Sequence, residues 1–201
     1  MTFIKFCGMT REQDVATAIE LGVNAVGFVL WPGSPRHVDL ERARALVGLL
    51  PPTVMPVGVF VRPTHDEIAA AIAAGIRVSQ VHGTSENGFG EEDGELWIAA
   101  SLTADGIAPD VGQDYTVLLD TGDPERFGGT GRTIDWSGAA RVAAIRRVLL
   151  AGGLTPANVR DAIRQVRPYG VDVASGIEKH PGVKDPDAMR AFVAAVREAD
   201  R

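Results

Sequence analysis

Eight short apolar or β-branched runs recur along the chain with helical patterns between several of them, and this alternation narrows the possible folds more than any other feature. The runs are Phe3 to Phe6, Ala25 to Leu30, Met55 to Val61, Val78 to Val81, Leu96 to Ala100, Val117 to Leu119, Val148 to Ala151 and Val171 to Ala174. Between them, apolar residues recur three or four apart: Val15, Ala18 and Ile19; Ala43, Leu46, Val47 and Leu50; Ile68, Ala71 and Ile72. That spacing predicts amphipathic helices, as does the stretch Asp187 to Glu198. Thr64 with Glu67 has the spacing of a capping box, and Thr155 before Pro156 predicts a cap with proline in the first helical turn. Strands that read as near-continuous apolar runs, separated by helices, belong to a parallel sheet covered on its outer face. Eight such units in 201 residues is the count of a small α/β protein of the (β/α)8 barrel type, one domain over 1–201. An open doubly wound sheet is the alternative, but Cys7-Gly8-Met9-Thr10 carries no G-x-G-x-x-G fingerprint.

The units are uneven. Between Gly83 and Glu95 lie four glycines, five acids and Phe89 as the one large apolar residue, so no core-facing helix can be read there. Thr103 to Asp114 is similarly broken by Gly106, Pro109 and Gly112. The helices after strands four and five are therefore expected to be short or missing. The thin cover there, including the acidic loop from Gly83 to Glu95, reads as a trimmed loop, a lost element or a partner-binding face.

Composition excludes several classes of function. A hydrophobic content of 45% is enough for one sizeable core, since a chain of this length buries roughly 70% of its unfolded surface. A net charge of -6 offers no basic stripe for a phosphate backbone, so no nucleic-acid partner is expected. The apolar runs fall far short of the roughly 20 residues needed to span a bilayer, so no membrane partner is expected either. One cysteine cannot form an internal disulfide and no signal peptide is apparent, which together suggest the cytoplasm. A monomer and a homodimer both remain open.

In a parallel barrel, chemistry gathers where strands end, and the strand exits of this chain are polar. Strand one ends at Cys7, four at His82-Gly83, six at Asp120, seven at Gly152-Gly153 and eight at Ser175-Gly176. A strand period of two puts Lys5 with Cys7, Gln80 with His82, Leu118 with Asp120, and Asp172 with Ala174 on matching faces. If those faces point inward, Lys5 must pair with Asp172, because neither charge is tolerated alone inside a barrel. Cys7 is either inert packing or a chosen thiol, and the turn allowed by Gly8 favours the second. The glycine-rich exits at Gly152-Gly153 and Ser175-Gly176 match a phosphate cradle, where backbone N–H groups approach an anion closely. Gly128-Gly129-Thr130-Gly131-Arg132 is a candidate lid.

Set side by side, these segments resemble the phosphoribosylanthranilate isomerase family. The resemblance rests on Lys5 to Thr10, Gly27-Phe28 with Ser34-Pro35-Arg36, Val81-His82-Gly83, Leu118-Leu119-Asp120, Gly128 to Gly131, Leu150 to Leu154 and Asp172 to Glu178, in that order. It extends to Pro181-Gly182-Val183-Lys184-Asp185. Met9, Thr130 and Ile177 are mild departures, and Ala99 or Ala100 stands where a lysine often occurs in the family.

The resemblance implies an isomerase of tryptophan biosynthesis that performs an Amadori rearrangement with no metal and no cofactor on a phosphorylated sugar-anthranilate. It implies Asp120 as the acid that opens the furanose ring and Cys7 as the base at C2'. It further implies substrate binding at Arg36, His82, Gly129, Gly131, Gly152, Gly153, Ser175 and Gly176. Arg36 suits the anthranilate carboxylate, because its planar fork matches a carboxylate bidentately. A free thiol is only about three per cent ionised at pH 7, so Cys7 gains from a neighbouring cation, and Lys5 is the candidate. His82 reads equally as a hydrogen-bonded core residue. Among related chemistries, a sugar-phosphate epimerase needs metal ligands at strands two and three, and indole-glycerol-phosphate synthase needs lysines on other strands. A histidine-pathway isomerase needs an aspartate at the position of Cys7. A non-catalytic phosphate-binding barrel is the alternative of a different class.

Overall fold

All eight apolar runs form strands that pair in parallel in chain order and close on themselves. They are β1 (Phe3–Cys7), β2 (Ala25–Val29), β3 (Met55–Val61), β4 (Val78–His82), β5 (Glu95–Ser101), β6 (Thr116–Asp120), β7 (Val148–Leu150) and β8 (Gly170–Val173). Closure is made by β1 against β8, with Lys5 opposite Asp172. The architecture comes from a computed structural model that describes residues 1–83, 89, 93–102, 111–112, 114–120 and 135–201.

Helices α1 (Glu12–Glu20), α2 (Leu40–Val47), α3 (His65–Ala73), α4 (Trp136–Ala143), α5 (Val159–Val166) and α6 (Pro186–Ala199) cover the outside. Four of them, α2, α3, α4 and α6, start at side chains that take up free backbone N–H groups. Thr64 and Glu67 form the reciprocal capping box of α3, and Asp39, Asp135 and Asp185 cap α2, α4 and α6. Asp135 secures α4 despite Ser137 and Gly138 in its first turn, both poor helix formers. The expected cap at Thr155 is corrected. Thr155 and Pro156 belong to a turn in which Asn158 Oδ1 accepts from the Thr155 N–H at 2.8 Å, and α5 begins three residues beyond the proline.

Two apolar layers result from the strand period. Val26, Phe28, Phe60, Val117, Leu119 and Val171 point outward to Leu46, Phe192, Val193 and other helix residues. Ala25, Val57, Val78, Trp97, Leu118 and Leu149 fill the interior, with Ala99 packed against them. Outside β4 and β5, Val81, Leu96 and Ile98 are covered by Ile68 of α3 and by Phe89, Val111 and Tyr115. Among the described residues no α-helix lies between β4 and β6. Most of the acidic loop, and the core of the stretch after β5, fall outside those residues.

One element has no counterpart in the apolar pattern. After β8 the chain makes a 3-10 turn at Ser175–Ile177 and an antiparallel hairpin of β9 (Glu178–His180) and β10 (Val183–Lys184). The Asp14 carboxylate accepts from the Lys184 N–H at 3.2 Å and from Arg11, fastening the hairpin to α1. Thr10 donates to the Gly182 carbonyl, a second tie across the barrel seam.

Candidate active site

The carboxyl ends of the strands surround a cavity of about 430 Å³, within the range of small-molecule sites. Cys7, Arg36, His82, Asp120 and Asp172 line it together with Gln80, Leu118 and Ala174. Every inward face assigned from the strand period therefore points as expected. Val29, Val59, Trp31 and Pro35 supply the apolar wall. Among the described residues, no three His, Cys, Asp or Glu side chains converge in a way that could hold a metal ion.

Lys5 and Asp172 form the anticipated pair, 2.8 Å apart, with Lys5 wholly excluded from solvent. Burial works against the Lys5 charge, but Asp172, and after it Cys7, hold its pKa above the ordinary lysine value. The Lys5 charge also acts on the neighbouring Cys7 thiol. Gly27 allows this convergence. A methyl group there would lie 3.0 Å from Cys7 Sγ and 3.1 Å from Lys5 Nζ. The expected activation of Cys7 by Lys5 is only half met. Lys5 pulls the thiol pKa down, yet burial is the larger effect and raises it above the ordinary value. In the ligand-free site Cys7 is a thiol at neutral pH.

Arg36 enters the same cavity from the loop after β2. Its arrival depends on Gly8, which has φ +75° and whose missing Cβ would lie 2.6 Å from Arg36 Cδ. A side chain at position 8 meets both backbone strain and a direct clash. Arg36 is bound by Glu178, an interaction sequence reasoning missed. Nε donates to Glu178 Oε1 at 2.9 Å and Nη2 to Oε2 at 2.7 Å. Glu178 Oε1 also accepts from Lys184 Nζ at 2.8 Å. The Glu178 carboxyl is held below its ordinary value because these two cations outweigh burial. Lys184 lies on β10 and is fully buried. Its signal was present in the sequence: Lys184 is one of three lysines and follows the Pro181-Gly182 turn.

His82 is buried and hydrogen-bonded to Gln80, with Nε2 of each side chain 2.9 Å apart. Burial, assisted by the Lys5 charge, pushes its pKa down to about 4, so the imidazole is neutral at pH 7. Gln80 Oε1, also buried, has no hydrogen-bond partner among the described residues. A polar acceptor left open in a cavity wall is suited to a ligand donor. The depressed His82 value has a consequence for stability. Between pH 6.5 and about 4 the unfolded chain binds the proton and the folded chain does not, so stability present above pH 6.5 is lost as pH falls through that window. The contribution is about 3 kcal/mol. Urea unfolding at pH 7 and pH 4 should show wild type losing about that much more than His82→Asn; equal losses would contradict it.

The two glycine-rich exits lie against each other at the same end of the barrel. Gly176 approaches so closely that a Cβ would sit 1.9 Å from the Leu154 carbonyl oxygen, and no other residue fits. Gly152 and Gly153 both have positive φ, which turns the chain out of β7. Ser175 opens the 3-10 turn directly after Ala174 of the cavity wall. The lid cluster with Gly129 and Gly131 lies outside the described residues.

Comparison with known proteins agrees with this geometry. Residues 4–195 match the family model of N-(5'-phosphoribosyl)anthranilate (PRA) isomerase. The chain is 42% identical over 197 residues to the N-(5'-phosphoribosyl)anthranilate isomerase of Geotalea uraniireducens, covering 96% of this chain and 97% of that one. Phosphoribosyl anthranilate isomerase from Thermus thermophilus superimposes with a TM-score of 0.85 at 35% identity, covering 98% of this chain and 99% of that one. A phosphoribosyl anthranilate isomerase in complex with reduced 1-(o-carboxyphenylamino)-1-deoxyribulose 5-phosphate superimposes at 0.81 with 32% identity, covering 98% of this chain and 100% of that one. A closed eight-stranded barrel, a cavity at its carboxyl end and similarity over nearly the whole chain converge: this chain belongs to the N-(5'-phosphoribosyl)anthranilate isomerase family.

Proposed function

We propose that the chain isomerises N-(5'-phosphoribosyl)anthranilate to 1-(2-carboxyphenylamino)-1-deoxyribulose 5-phosphate, a step of tryptophan biosynthesis, with Asp120 as general acid and Cys7 as general base. The observation that carries this reading is that Asp120, Cys7 and Arg36, from three distant parts of the chain, line the same cavity.

The rearrangement needs one acid and one base. Asp120 gives its proton to the furanose ring oxygen as the C1'–O bond breaks, and the anilino nitrogen lone pair forms the C1'=N iminium. Cys7 removes the C2' proton, whose bonding electrons form C1'=C2' and neutralise the iminium. The resulting enolamine loses its C2' hydroxyl proton and gains one at C1', giving the ketone. Burial that disfavours a free thiolate serves this scheme. A thiolate formed in a closed, partly apolar site is a stronger base than one in water.

Arg36 holds the anthranilate carboxylate through the guanidinium edge that Glu178 leaves open. Gln80 Oε1 accepts from a substrate hydroxyl, beside neutral His82. The phosphate rests on backbone N–H groups around Gly152, Gly153, Ser175 and Gly176. No helix among the described residues is long and apolar enough to cross a membrane, and small charged metabolites suit a cytoplasmic enzyme.

Turnover of phosphoribosylanthranilate by the purified chain, followed by chromatography of substrate and product, tests the assignment. Arg36→Lys keeps the charge but loses the fork, so KM should rise by about 10-fold or more with a smaller change in kcat. An unchanged KM would place the carboxylate elsewhere.

A further inference from the structure

The β9–β10 hairpin carries a buried ionic group at the cavity wall that the reaction scheme leaves without a task. An ammonium has three N–H donors, and Lys184 spends all of them on converging acceptors. Nζ lies 2.5 Å from the Cys7 carbonyl oxygen, 3.1 Å from the Ala174 carbonyl oxygen and 2.8 Å from Glu178 Oε1. The first two acceptors are the exits of β1 and β8, on either side of the seam where the barrel closes. The third belongs to the carboxylate that grips Arg36 along its Nε and Nη2 edge. Glu178 Oε1 accepts in addition from the Gly182 N–H at 3.3 Å, in the turn of the same hairpin.

We infer that Lys184 and Glu178 are positioning residues of the isomerase reaction: Lys184 clamps the backbone at Cys7, and Glu178 aims Arg36, so that base and carboxylate clamp are held in one register. The inference rests on the proposed roles of Cys7 and Arg36. Its physical basis is the donor arithmetic. A lysine reaches three acceptors from a single atom, which the planar fork of an arginine cannot do. Arg36 bound along one edge keeps Nη1 and one Nη2 hydrogen for a ligand, and rotation about its long side chain is removed before the ligand arrives. Arg36, Lys184 and Glu178 together leave one net positive charge at the cavity wall, the right sign for an incoming carboxylate. The Lys184 charge also favours the Cys7 thiolate, against the larger opposing effect of burial.

Lys184→Met and Glu178→Gln in the full chain separate this from a merely structural role. Three quantities are measured: kcat and KM with phosphoribosylanthranilate, the pH midpoint of Cys7 alkylation by iodoacetamide without substrate, and thermal unfolding. Lys184→Met should lower kcat by about 100-fold, the effect of a displacement near 1 Å at the base, and move the alkylation midpoint upward by about one pH unit. Glu178→Gln, nearly isosteric, should raise KM by about 10-fold with kcat little changed. Glu178→Gln carries the test if Lys184→Met does not fold. Folded variants with wild-type kcat, KM and alkylation midpoint overturn the inference. So does a loss of active molecules in which the remainder behave as wild type. A wild-type chain that fails to turn over the substrate removes the functional reading, while the alkylation midpoint still tests the clamp on Cys7.

Discussion

Replacing either Cys7 by serine or Asp120 by asparagine should lower kcat by about 10²- to 10⁴-fold, the usual span for a positioned acid or base. Serine matches cysteine in shape, but its hydroxyl is a far weaker acid and supplies almost no base at pH 7. Asparagine matches aspartate in shape and has no proton to give the ring oxygen. KM should change little in both, because neither replacement alters the Arg36 clamp or the glycine-rich exits. The direction of the thiol shift adds a pH signature. The base works only when deprotonated and its pKa is raised in the free protein, so kcat/KM should climb with pH by up to about 10-fold per unit through the neutral range. A steady-state pH profile checks this. More than a tenth of wild-type activity in either variant, or a profile flat from pH 6 to 8, would remove Cys7 and Asp120 from these roles.

The second large effect concerns the barrel rather than the chemistry. Lys5→Met or Asp172→Asn should each destabilise the fold by about 3 to 5 kcal/mol, because each leaves its partner as an uncompensated charge within a closed interior. The double replacement Lys5→Met with Asp172→Asn should cost much less than the sum of the singles, since it leaves neither side chain facing an unpaired partner charge. Urea unfolding of the four proteins at pH 7 measures the coupling. Additive losses would mean that the two side chains do not depend on each other.

The two effects divide along the strands in a way that was legible beforehand. A period of two fixes which residues share a face, so Lys5 with Cys7, Gln80 with His82, and Leu118 with Asp120 could be grouped from their spacing, while the inward direction of those faces, and of the face carrying Asp172, was decided by the closed barrel. The pairing of Lys5 with Asp172 then followed from the cost of burying one charge. The hairpin at Glu178–His180 and Val183–Lys184 was not legible in the same way. Its strands of three and two residues are too short to show a period, and it is held by Lys184 Nζ donating to the Cys7 and Ala174 carbonyls and by the Lys184 N–H donating to the Asp14 carboxylate. Asn158 in place of Thr155 at the start of α5 is a smaller case. Thr155 and Asn158 are both suited to a turn, and in the fold they close one together, with the Thr155 N–H donating to Asn158 Oδ1 ahead of the helix.

Local chemistry alone therefore determined the barrel and the polar residues at its strand exits. Strand period, helix period and the cost of an unpaired charge act over a few residues and are written into any short window. Tertiary structure decided which of those side chains share a cavity, that Arg36 is aimed by Glu178, and that burial outweighs Lys5 at the Cys7 thiol. Those outcomes depend on distances between residues up to 177 positions apart and on how much water the closed barrel excludes. Neither quantity exists until the chain has folded.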